Sequence, residues 1–79
     1  MVTRTKTKLA ITPQLKAFMK ICQIFETDPY SFAEEVATQI AEGYGSAGSI
    51  FQAKRKFAIP QGTPVPQAVI NLAKEYADA

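Results

Sequence analysis

Apolar residues recur at helical spacing in four stretches of this chain, and the residues between them carry the signals that stop one helix and start the next. The most apolar stretch is residues 13–25, PQLKAFMKICQIF. At about 100° per residue, Leu15, Phe18, Met19, Cys22 and Phe25 fall on one stripe. Ala17, Ile21 and Ile24 widen it past half the circumference, and only Lys16, Lys20 and Gln23 form a polar edge. So wide an apolar surface needs cover from two or more sides. The expectation is therefore a central helix onto which the rest of the chain folds.

Thr12 followed by Pro13 is a helix start: a threonine cap, then proline where a missing N–H costs nothing. That first helix should reach about Glu26. Asp28-Pro29 repeats the signal and opens a second helix through about Glu42, which Gly43 ends by taking a positive φ. Phe32, Ala33, Val36, Ala37 and Ile40 form its inner stripe, with Tyr30 and Ala41 at the margin. Ala33, Ala37 and Ala41, four apart, make a low ridge that another helix can approach closely. Glu35, Gln39 and Glu42 share the opposite face, most simply a solvated one.

Residues 43–49, GYGSAGS, read as a turn into a third helix over about 47–57. Ile50, Ala53 and Phe57 point inward there, while Ser49, Gln52, Arg55 and Lys56 occupy a polar sector. Pro60, Gly62, Pro64 and Pro66 mark residues 58–65 as an irregular connector. A last helix over about 66–76 buries Val69, Ile70, Leu72 and Ala73. Ahead of all four helices, MVTRTKTK alternates Arg4, Lys6 and Lys8 with threonines, and Leu9 and Ile11 continue the threonine parity. As a strand this puts the cations and Ala10 on one face; as a bare terminus, residues 1–8 are a solvated basic arm. The expected architecture is one mainly α domain over residues 1–79, a compact four-helix unit with a possible short N-terminal strand.

A chain of 79 residues buries only about 60% of the surface it exposes when unfolded, so a dimer or a larger partner would help it. Its one cysteine, Cys22, lies in the apolar stripe and reads as a reduced, buried thiol. No apolar run approaches the ~18 residues of a membrane span, and the expected location is the cytoplasm. The net charge of +2 conceals blocks: residues 1–25 hold five basic and no acidic side chains, whereas residues 26–53 hold five acidic and no basic ones. Acidic second helix and basic first segment can complement each other within the fold.

Enzymatic chemistry has little to work with. Histidine is absent, which removes the usual base near neutral pH and most zinc ligands. Glu34 and Glu35 are adjacent, so on a helix they diverge by about 100° and cannot converge as an acid–base pair. Gly43, Gly45 and Gly48 spell G-x-G-x-x-G, but a helix leads into them where a dinucleotide site needs a strand. Neither cofactor, metal nor small-molecule substrate is expected.

Two arrangements point to nucleic acid. The order of basic alternating segment, Thr12-Pro13 helix, Asp28-Pro29 restart and second helix resembles the ribbon-helix-helix family of dimeric DNA-binding regulators, over residues 4–42. That resemblance implies strands from two chains paired in the major groove, with Arg4, Lys6 and Lys8 reading bases and the amides at residues 29–31 against a phosphate. Separately, residues 32–57 can be read as a helix-turn-helix, with Ala41 at the small-residue position, Gly45 at the turn and Phe51 packed inward. Ser49, Gln52, Arg55 and Lys56 then form the groove-reading face, and Lys54 falls where an apolar contact is usual. The alternative class is a protein-interaction module, an adaptor or subunit of a larger assembly. It rests on the over-wide first helix, the alanine ridge, the proline connector and the small size.

Overall fold

A computed structural model describes residues 9–78. They form four helices, α1 (Pro13–Ile24), α2 (Pro29–Ala41), α3 (Ser46–Phe57) and α4 (Gln67–Asp78). Both expected starts are made as their chemistry requires. The Thr12 hydroxyl accepts from the Leu15 amide at 3.1 Å and the Asp28 carboxylate from the Ser31 amide at 2.8 Å, with Pro13 and Pro29 opening the helices behind them.

α1, α2 and α3 also stop alike. Glu26, Gly43 and Ala58 take left-handed φ values of 59°, 106° and 61°. One residue later, an amide reaches back to the helix: Thr27 to the Cys22 carbonyl, Tyr44 to Gln39 and Ile59 to Lys54, at 2.9, 3.1 and 2.9 Å. These bonds satisfy carbonyls that the ending helix would leave bare. Only Gly43 is a glycine; the other two stops hold a side chain in a conformation that disfavours one.

The centre of the fold is α2, a correction to the expectation that α1 would be. α2 packs along both α3 and α4, and α1 meets it over a shorter stretch. Phe18 of α1 sets its ring edge-on to Phe32 at 5.2 Å between centroids, and Phe32 continues to Phe57 of α3 at 6.3 Å. Side-chain size explains the exchange of roles. Ala33 and Ala37 on α2, Ala53 on α3 and Ala73 on α4 are all fully buried, so these three backbones can approach closely. The bulkier stripe of α1 cannot nest so closely, and α1 lies at the flank. The ridge stops at Ala37, since Ala41 is exposed.

No strand occurs among the described residues, and neither the N-terminal strand nor the ribbon-helix-helix arrangement finds support there. The alternation at Arg4, Lys6 and Lys8 lies outside those residues. Its expected continuation fails: Leu9 is buried, its amide donating to the Tyr30 hydroxyl at 3.1 Å, whereas Ile11 is 59% exposed. The core contains most of the expected residues and adds Leu9, Ile59 and Tyr76; Met19, Phe25, Ile40, Ile50, Phe57 and Ile70 are only half-buried.

Candidate functional site

The polar sector expected to read a groove is divided by the fold. Gln52, Arg55 and Lys56 do come together, lining one shallow depression of about 350 Å³ with Glu35 and Gln39 of α2. Ser49 does not join them. It is fully buried, and its hydroxyl donates to the Tyr44 carbonyl at 3.3 Å, which ties the start of α3 to the turn before it. Phe51, expected inside, is exposed and lies under the Arg55 guanidinium, 5.9 Å from its ring centroid.

Nor is the positive charge here free. Lys56 donates to Glu35 at 2.9 Å, and Glu35 also accepts from the Gln39 amide group at 2.7 Å. Burial alone would raise the Glu35 carboxyl, but these two hydrogen bonds and the Lys56 charge outweigh it and hold the group below its ordinary range. Glu35 and Gln39 are thus half-buried struts between α2 and α3, not members of a solvated face. Among the described residues the ionic partner of the acidic helix is Lys56 of α3; Arg4, Lys6 and Lys8 of the basic first segment lie outside those residues. Among the described residues Arg55 is the one cation of this depression with no acidic partner, a weak feature for gripping a polyanion.

Lys54, which falls where a helix-turn-helix usually has an apolar contact, is buried. It is 7% exposed, and its ammonium donates to the carbonyls of Gln61 and Thr63, both at 2.8 Å. Its aliphatic stem lies in the interior while the head meets carbonyl oxygens, and burial pushes its pKa below the ordinary lysine value. With Ile59 seated in the core and Thr63 turned back onto the Pro60 carbonyl at 3.0 Å, Lys54 fixes the course of the connector.

That connector forms the wall of a second feature, which the sequence reading did not name as a site. Between α1 and the connector runs an apolar groove of about 350 Å³ lined chiefly by Ala17, Phe18, Ile21, Pro64, Val65 and Pro66. An adjoining depression of about 340 Å³ continues it between Thr12 and Gln14 on one side and Pro66, Gln67 and Ala68 on the other. Beside the groove α1 leaves Ile24 72% exposed and Ala17 exposed as well. The cause is local: α2 covers one side of α1, and a segment with prolines at 60, 64 and 66 cannot form the helix that would cover the other. The width of the α1 stripe was the one available signal.

Elsewhere the chemistry is quiet. Burial, with the Asp28 charge adding to it, pushes the Cys22 thiol up to about 11, so the group stays protonated and poorly nucleophilic. Among the described residues no group of three or more His, Cys, Asp or Glu side chains is placed to hold a metal, and no helix is long and apolar enough to cross a membrane. No protein family, no curated protein and no solved structure matches this chain.

Proposed function

We propose that this chain is a protein-interaction module, a small helical adaptor or subunit that docks through the uncovered apolar side of α1. The observation that carries the proposal is Ile24, 72% exposed on a helix whose inner face is already filled. By helical spacing it shares a face with Ala17 and Ile21, which line the groove. Fully burying one such side chain contributes roughly 1.5–3 kcal/mol, and a domain this small gains from a partner that supplies the cover.

A dimeric DNA-binding regulator acting through Arg4, Lys6 and Lys8 is the second reading, and one observation favours it. Residues 9–78 hold six basic and seven acidic side chains, so the whole positive excess of the chain lies in residues 1–8.

Capture from an extract of the source cell, run with the wild-type chain, Ala17→Glu and the Lys6→Ala/Lys8→Ala double variant, separates the two. A docking module keeps its partner in the double variant and loses it in Ala17→Glu, with duplex DNA binding weak and flat in salt. If instead a random-sequence duplex binds steeply in salt, and the arm variant alone abolishes that binding, the regulator replaces the module. Capture of nothing that Ala17→Glu removes would also end the docking proposal.

A further inference from the structure

We infer that the groove beside α1 receives an acidic amphipathic helix of another protein. This rests on the docking role proposed above and adds the chemistry of the partner. The groove has the dimensions of such a ligand. Its lining on this side runs from the Thr12 cap to Ile21 of α1, nine steps or about 14 Å at 1.5 Å per residue. That length matches two to three turns of a helix presenting apolar residues at i, i+3 or i+4, and i+7.

Charge selects among helices of that kind. The first 25 residues of the chain hold five cations and no acid. Two of the cations, Lys16 and Lys20, are exposed one turn apart on α1; neither lines the groove, but Lys20 neighbours Ala17 and Ile24 at i+3 and i−4 spacing on the side away from the connector. The opposite wall, residues 64–67, is uncharged, so nothing there offsets the lysines. Where the two depressions meet, the first turns of α1 and α4 face each other through Gln14 and Gln67, and the positive ends of both helix dipoles add to the lysine field.

The same charges disfavour a second copy of this chain as the occupant. A two-fold contact through α1 would bring the Lys16 and Lys20 edge of one copy toward the same edge of the other. The acidic helix α2 cannot serve in trans either, because its apolar face is already the core. An acidic helix from a different protein meets both conditions.

Two sets of fluorescent helical peptides of about 15 residues, with matched, varied apolar positions but flanks of either glutamate or lysine, test this by anisotropy against the full chain. The best glutamate-flanked members should bind roughly tenfold or more tighter than their lysine twins at low salt, and the gap should close as salt screens it. Lys16→Glu/Lys20→Glu should reverse the preference, and Ala17→Glu should abolish binding of both sets without moving the thermal melt. Should Ala17→Glu disturb the melt, Ile24→Ser takes its place. Equal binding of the twins overturns the inference, as does failure of every glutamate-flanked peptide at about 1 mM. A dimer in light scattering that Ala17→Glu converts to monomer overturns it too. The docking role survives any of these if Ala17→Glu still loses a captured partner, and falls with the inference if it does not.

Discussion

Replacing Lys54 with methionine should destabilise the fold by about 2 kcal/mol, although it exchanges a charged residue for an apolar one at a buried position. Methionine keeps most of the stem's volume and removes the ammonium. The two carbonyls that lose their donor then behave differently. Gln61 is exposed and water can replace the lysine there at little cost. Thr63 is buried and its bond to Lys54 is a buried one, so its carbonyl is left dry at about 1–3 kcal/mol. Relief from burying a charge returns part of the loss, and release of the connector adds to it. For a domain of this size the net loss corresponds to a melting temperature lower by about 8–16 °C. Circular-dichroism melts and urea titrations of the two proteins at neutral pH measure it, and amide exchange at residues 61–63 should quicken in the variant. A methionine variant as stable as the parent, or more stable, would refute the account of Lys54 as the strut of the connector.

Ala58→Gly should stabilise the protein by about 0.5–1 kcal/mol, seen as a higher urea midpoint with an unchanged slope, because Ala58 sits at φ 61° where glycine carries no Cβ penalty. The Glu35 carboxyl is held below its ordinary value of 4.5, so the unfolded chain takes up that proton first as acid is added. Its contribution to stability should therefore be full above about pH 4.5 and fade as pH falls through the lowered folded value. Acid titration of stability should show Glu35→Gln and wild type converging at the low end of that range, and curves that stay parallel throughout would exclude the coupling to Lys56 and Gln39.

Local grammar was plain in the amino-acid order. Thr12-Pro13 and Asp28-Pro29 announce their helices because cap and helix are neighbours in the chain, and a Thr12 hydroxyl can reach only the amides just ahead of it. What periodicity could not tell was which apolar stripe would be covered. The stripe of α1 is the widest, yet Ala33, Ala37, Ala53 and Ala73 decide the packing through smallness, a property a hydrophobicity count undervalues. Site residues went astray for a related reason. Ser49 shares a polar sector with Arg55 on a helical wheel, but the Tyr44 carbonyl, five residues earlier, claims its hydroxyl. Lys54 falls where an apolar contact is usual, and nothing local shows that the connector's carbonyls, seven and nine residues later, curl back to receive its ammonium. The Glu35–Lys56 bridge spans 21 residues, beyond the reach of any local pattern. The groove is harder still to read, since it is a space left between α1 and prolines some forty residues away.

The placement of charge makes an average isoelectric point a poor description of this molecule. A version beginning at Leu9 would have six cations against seven anions and reverse the sign of the net charge from +2. The described body extends 32 × 24 × 20 Å, several times the ~8 Å over which physiological salt lets charges feel one another. An ion-exchange matrix or a charged surface therefore does not meet a weak cation of pI near 8.8. It meets an ampholyte, basic through the prefix joined at Leu9 and the outer edge of α1, and slightly acidic elsewhere. Orientation at such a surface, more than overall attraction to it, is the property that eight residues confer.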